Sequence, residues 1–230
     1  MRTSPQGIVE IAGHEGVVLG PYRDSVGVWT VYVGHTAGAG SPDPATIPRR
    51  DTRRFTEAEA DAAIRDALAL FADDLQSYES RVERAIKVPL AQHQFDALVS
   101  FDFNTGGILR ARLTAAINAG DMDGDGFMGW TRPKEIIGRR RAEQTLFRTG
   151  RYTAGPVTLW DAHGDGRLSR RGALPAARVL ALMGQPVVPA EPEPAPPPAP
   201  AAPTPDDPAA LIAEAQALLH RAVAALNPGA

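Results

Sequence analysis

Residues 14–36 read HEGVVLGPYRDSVGVWTVYVGHT, and the reading of this stretch decides the fold. Within it Glu15, Asp24 and Thr30 are spaced nine and six positions apart. Glu15 closes a short apolar stretch (Ile8, Val9, Ile11) that reads as a helix. Asp24 falls where Gly27 and the β-prone run 28–33 announce a hairpin. A helix end beside a hairpin can set two acids across one cleft, the arrangement that glycosidic bond cleavage requires.

That chemistry needs one carboxyl protonated, to activate a poor leaving group, and a second ionised, to support the electron-deficient sugar or the attacking water. Glu15, flanked by apolar sequence, is the candidate general acid, and partial desolvation there would favour a protonated carboxyl. Asp24, in a polar loop beside Arg23 and Ser25, is the candidate ionised partner. Thr30 offers a hydroxyl to orient a water. Taken singly, each has an ordinary alternative: a surface or capping acid, a turn residue, a strand residue. Their joint spacing with the surrounding glycines favours function.

Outward from this segment, composition narrows the choices. The chain has 230 residues, a net charge of −3 and no cysteine. The charge argues against a nucleic-acid binder, whose affinity rests on clustered Lys and Arg. Without cysteine there is no disulfide framework, thiolate metal site or thiol nucleophile. Five scattered histidines never fall at zinc-ligand spacing. The N-terminus lacks the basic-then-apolar pattern of a signal peptide, and no window reaches the roughly 18 apolar residues of a membrane span. A chain made soluble in the cytoplasm, with no stable membrane insertion, is expected.

Residues 1–50 read as a small lobe: a short helix to Glu15, then a loop and a hairpin through 28–33. A second hairpin is expected between 157–160 and 167–169. Thr56, with Glu59 three positions later, is a capping box. It opens an Ala-rich helix expected to run to about Ile86, with Ile64, Leu68, Phe71, Leu75 and Val82 inward. Further helices are expected at 92–103 (burying Phe95, Leu98, Val99 and Phe103), 110–119, 135–148 and 173–183. Asn104 to Gly107 should break the second of these. From 186 to 208 there are eleven prolines in twenty-three positions, a linker composition that cannot build a core. Residues 209–227 carry an amphipathic stripe and should form a terminal helix of unknown partner. The expected domains are therefore a catalytic domain over 1–185, a linker over 186–208 and the helix.

The 14–36 segment resembles the catalytic segment of phage-type lysozymes, glycoside hydrolase family 24. The resemblance continues at VPLAQHQFDALVSFDFNTGG (88–107), INAGD (117–121) and GRRRAEQTLFRTGRY (138–152), four stations in order over about residues 8–152. It implies an α+β lysozyme-like fold, with a small hairpin-bearing lobe and a larger helical lobe around a cleft. It also implies an endolysin-type muramidase that cuts the β-1,4 bond between N-acetylmuramic acid and N-acetylglucosamine and lyses bacteria. Glu15, Asp24 and Thr30 would be the catalytic residues, no cofactor would be needed, and the product would be the inverted anomer. By the same likeness, access to the periplasmic wall would depend on a holin. The family's Gly-Tyr-Gly-His strand reads Val31-Tyr32-Val33-Gly34-His35 here, taken as a conservative change in backbone room. The insert 37–50 can reshape the cleft.

Other features have both a functional and a structural reading. His35 is expected to be a hydrogen-bonded structural residue, with Asp73 or Asp74 as partner. Asn104 either binds an N-acetyl group of the substrate or caps its helix. Asp121 to Gly126 and Asp161 to Gly166 imitate the opening of a calcium loop. Arg132 and Gly172 stand where the twelfth-position Glu should be, so both read as turns. Arg139, Arg140 and Arg141 either face an anionic sugar polymer or, as favoured here, are solvated or paired with Glu135 and Glu143. Two other classes compete with the hydrolase: a wall-binding lectin that has lost turnover, and a lytic transglycosylase, which works with a single acid.

Overall fold

Ser4 starts the first helix: its Oγ accepts from the Gly7 amide at 3.0 Å, and Pro5 follows in the first turn, where its missing N–H is not needed. In this computed structural model, which describes residues 1–153 and 155–185, helix α1 spans Pro5–Glu15. It packs closely on a second helix, because a Cβ on Gly7 would lie only 2.6 Å from the Asp96 carboxyl carbon. Asp96 is buried and accepts from the Ser4 amide (3.0 Å), the Tyr152 hydroxyl (2.7 Å) and the Gln92 amide (2.9 Å). The helix stops at Gly16, whose φ of +82° suits glycine, and where a side chain would come within 3.2 Å of the Thr158 carbonyl. Glu15 is thereby fixed as the last helical residue.

The chain turns at once into β1 (Val17–Arg23), expected as loop but formed as a seven-residue strand. β2 (Trp29–Tyr32) and the short β3 (His35–Thr36) follow. Two late strands, β4 (Val157–Ala162) and β5 (Leu168–Leu174), complete a five-stranded sheet ordered β3-β2-β1-β4-β5. β1 and β4 run parallel, with Val17 opposite Leu159; the other pairs are antiparallel. The small lobe thus does not end at residue 50, as the N-terminal reading had it. The 157–169 hairpin expected from sequence is present, longer than read, and its second strand occupies the start of the helix expected at 173–183.

The capping box forms as expected: Thr56 Oγ1 accepts from the Glu59 amide, and Glu59 accepts from the Thr56 amide at 2.9 Å. It starts α2 (Glu57–Ala85), whose Ile64, Leu68, Phe71, Leu75 and Val82 are all buried. α3 (Gln92–Thr105) runs through the middle of the helical lobe, with every residue from Phe95 to Asp102 buried and Phe103 partly so. Each fully buried large apolar side chain contributes about 1.5–3 kcal/mol, so this helix anchors the lobe. α4 (Arg112–Asn118), α5 (Ile137–Thr149) and α6 (Ala176–Leu182) complete it; α5 lies against α3, and α6 against α1.

Both acidic loops are turns. Asp121 Oδ1 accepts from the Asp123 amide at 3.0 Å, and the loop at 163–166 joins β4 to β5. The expected linker at 186–208 and helix at 209–227 lie outside the described residues. No helix among the described residues is long and apolar enough to cross a membrane.

Candidate active site

A carboxyl at a helix C-terminus meets the negative end of the helix dipole and needs a compensating cation. α5 supplies it: Arg139 Nη1 donates to Glu15 Oε1. The Glu15 side chain is 33% exposed and Arg139 only 8%, so a buried guanidinium holds an acid that opens to solvent. The apolar setting expected for Glu15 is therefore replaced by an ion pair. The flanking apolar residues of α1 point into the core, and its last three residues carry the acid out of it.

Arg139 is itself held rigidly. Its Nε donates to Glu143 Oε1 at 3.1 Å and its Nη2 to the Ser100 carbonyl at 3.2 Å. Arg140, fully buried, donates through Nη2 to Glu143 Oε1 (3.0 Å) and to Asn104 Oδ1 (2.9 Å), and its guanidinium lies 5.2 Å from the Phe101 ring centre. Ser100 Oγ donates to the same Glu143 oxygen at 2.7 Å. Burial pushes the Glu143 carboxyl up, and the two guanidinia oppose that. Arginine does not give up its proton, so an ionised Glu143 is what balances Arg140. The pairing expected with Glu143 is present. The solvated-helix reading fails for Arg139 and Arg140, because this face of α5 packs on α3. Glu135 takes no part, and Arg141 is exposed.

Asn104 lies in the last turn of α3 and does not cap it; Thr105 Oγ1 accepts from the Gly107 amide instead. With its Oδ1 taken by Arg140, Asn104 is exposed and presents its amide N–H groups outward. His14, which sequence reasoning passed over, sits against the same arginines. Burial first, then the charges of Arg139 and Arg140, push its imidazole down to about 4.

Across from Glu15, Asp24 organises the β1–β2 turn. Its Oδ1 accepts from the amides of Val26 (3.0 Å) and Val28 (2.8 Å), which leaves Oδ2 outside the turn. Arg23, expected as a charged neighbour, turns away and donates to the Gly27 carbonyl at 2.7 Å. Thr30 is 3% exposed, and its hydroxyl donates to the Val28 carbonyl at 3.3 Å. It faces Tyr22 across the β1–β2 ladder, so both side chains lie on one face of the sheet. Tyr22 links the two acids: burial, then the charges of Asp24 and of Glu15, raise its phenol. Burial raises the Tyr78 phenol on α2, opposed by Arg81, with Asp102, Asp74 and lastly Glu15 adding to the rise. Tyr78 lines a cavity of about 660 Å³ together with Phe103, Gly34, Thr36 and the insert residues Gly38 and Ala39. This groove has the size of a small-molecule site and lies between the sheet and the helical lobe, but Glu15, Asp24 and Thr30 are not among the residues that line it.

His35 is a buried structural residue between Gly34 and Thr36, which line the groove. Its Nδ1 lies 2.9 Å from both oxygens of Asp74, one of the two partners expected, and its Nε2 donates to the Pro42 carbonyl at 2.9 Å. It thus ties β3 to α2 and to the insert. Tyr32, by contrast, is not a conservative replacement. It is the one non-glycine residue with positive φ (+58°) among the described residues, at a position where the family pattern carries glycine.

The phage lysozyme family model matches residues 12–144, more than half of the chain. An endolysin of Acyrthosiphon pisum secondary endosymbiont phage 1 is 31% identical over 160 residues, covering 64% of this chain and 98% of that protein. A SAR-endolysin of Escherichia phage Mu is 32% identical over 142 residues, 58% of this chain and 73% of the relative. Among solved structures, a P22 lysozyme variant is similar at a TM-score of 0.52 and 28% identity, covering 64% of this chain and 98% of that one. An endolysin from Escherichia coli O157:H7 phage FAHEc1 is similar at 0.55 and 25%, covering 66% and 97%. With its α+β lysozyme-like fold, the chain belongs to the phage lysozyme family, the glycosidases that hydrolyse peptidoglycan.

Proposed function

We propose that the chain is an endolysin-type N-acetylmuramidase, which cuts the β-1,4 bond between N-acetylmuramic acid and N-acetylglucosamine and so lyses the bacterial cell. The observation that carries this reading is the Glu15 carboxyl, clamped by a buried arginine at a helix end and sharing Tyr22 with Asp24. Arg139 occupies Oε1, so Oε2 is the oxygen able to hand a proton to the leaving sugar. On the other side, Asp24 Oδ2 and Thr30 Oγ1 are both acceptors. Accepting the two protons of one water aims its lone pair at the anomeric carbon, which gives inversion. The outward amide of Asn104 is suited to the carbonyl of an N-acetyl group.

Digestion of purified sacculi by Glu15→Gln tests the general acid. A fall in rate of about 10²–10⁴-fold is expected, with the unfolding midpoint little changed. An unchanged rate would remove Glu15 from the mechanism. Asp24→Asn and Thr30→Ala should each lower the rate as well, and the anomer released by wild type reads the stereochemistry directly.

For delivery to the wall, a separate pore-former of the holin kind is proposed. Expression of the full chain alone in a Gram-negative host should leave cells intact until the inner membrane is permeabilised. Lysis without permeabilisation would overturn that dependence.

A further inference from the structure

Because β1 and β4 run parallel and adjacent, the turns that follow them emerge at the same end of the sheet. The two turns are joined: the Arg23 amide donates to the Gly166 carbonyl at 3.0 Å, and Gly166 lies so close to the Trp29 ring that a Cβ there would come within 3.1 Å. On these tips stand Val26 (79% exposed), Val28 (46%) and Leu168 (38%), three of the five exposed large apolar side chains among the described residues. Behind them, Trp29 is sandwiched between two guanidinia, Arg23 at 4.5 Å and Arg49 at 4.4 Å from its ring centre. Arg23, Arg49 and Arg170 have no carboxylate partner among the described residues. The nearby acids are engaged elsewhere: Asp165 with Arg167 at 2.7 Å, Asp51 with Arg53 at 2.6 Å, and Asp24 with its own turn.

We propose that this end of the sheet is a docking surface for an anionic phospholipid bilayer, with the valine and leucine tips entering the interface and the arginines that lack a carboxylate partner meeting the headgroup phosphates. Apolar tips ringed by cations, with a tryptophan at the boundary, are the chemistry of interfacial binding. A glycan is a poorer match. Sugars stack on open aromatic faces, and both faces of Trp29 are covered. The contact is peripheral and adds no membrane span. Since Asp24 lies in the same turn, docking would set that candidate catalytic carboxyl beside the membrane edge.

The absence of cysteine gives a clean probe. In the full chain, Val26→Cys and Leu109→Cys are each labelled with an environment-sensitive fluorophore; Leu109 is also exposed (61%) but lies beyond the end of α3, away from these turns. Vesicles of phosphatidylethanolamine and phosphatidylglycerol should shift the label at 26 to the blue and leave that at 109 unmoved, while phosphatidylcholine vesicles move neither. Arg49→Ser with Arg170→Ser should weaken partitioning by about fivefold per arginine, with turnover of solubilised peptidoglycan unchanged. Three results would each overturn the proposal: no shift at 26, an equal shift at both positions, or a shift at 26 produced as strongly by soluble polyphosphate as by vesicles.

Discussion

His14 offers a stability test that can be worked from the structure. It precedes Glu15 and abuts Arg139 and Arg140, and burial and those charges hold its imidazole at about 4. In the unfolded chain it takes up a proton near 6.5. Between these values the unfolded chain binds a proton that the folded chain refuses. The stabilisation is therefore complete above pH 6.5 and is lost as pH falls toward about 4. The gap from 6.5 to about 4, at about 1.36 kcal/mol per pH unit, amounts to about 3 kcal/mol. Denaturant unfolding of wild type and His14→Gln at pH 7, 6, 5 and 4 isolates this contribution, because the carboxylates titrate in both proteins. The stability of wild type relative to the variant should fall by about 3 kcal/mol across the series, with most of the drop below pH 6.5. Parallel curves would show that the imidazole is not held neutral and that the packing of α1 against α5 has been misread.

Glu143→Leu leaves the buried Arg140 without a carboxylate and Arg139 with Glu15 alone, and should cost about 3–5 kcal/mol, read as a lowered denaturation midpoint; a loss under 1 kcal/mol would mean that Glu143 does not balance Arg140. Tyr32→Gly should be more stable than Tyr32→Ala by about 1 kcal/mol in urea unfolding, since both lose the ring but only alanine keeps the strained backbone; the reverse order would refute the strain. His35→Asn cannot hold both Asp74 and Pro42 and should lose about 1–3 kcal/mol of stability while the folded fraction keeps its specific activity on sacculi. A matching loss of activity would place His35 in the chemistry.

Much of the fold was legible where signals are local. Thr56 and Glu59 announce the start of α2 by a reciprocal hydrogen bond between neighbours, and the inward stripe from Ile64 to Val82 follows from helical period alone. The partnership of His35 with the long helix was also within reach, because a histidine after a short strand needs an acceptor and Asp73 and Asp74 were the acids offered. What escaped was non-local. Val17 pairs with Leu159 across more than a hundred residues, so nothing near residue 17 marks β1 as the middle of a sheet. The basic run at 139–141 reads as a solvated face, since no local pattern says that α3 will cover two of its three arginines. The spacing of Glu143, four positions after Arg139, did give the pairing, but not the burial of the pair. The environment of Glu15 was misjudged for the same reason: its countercharge comes from residue 139. Tyr32 breaks the local rule outright, for no turn chemistry favours tyrosine at positive φ.

The central claim is that Glu15 donates the proton that cleaves the muramic-acid linkage, with Asp24 as its ionised partner. Mass spectrometry of fragments from purified sacculi, digested in parallel by wild type and Glu15→Gln, tests it most directly. The account predicts that wild type releases disaccharide-peptides with reducing N-acetylmuramic acid ends and that the variant releases almost none. Anhydro ends, reducing N-acetylglucosamine ends, or equal release by the variant would contradict it.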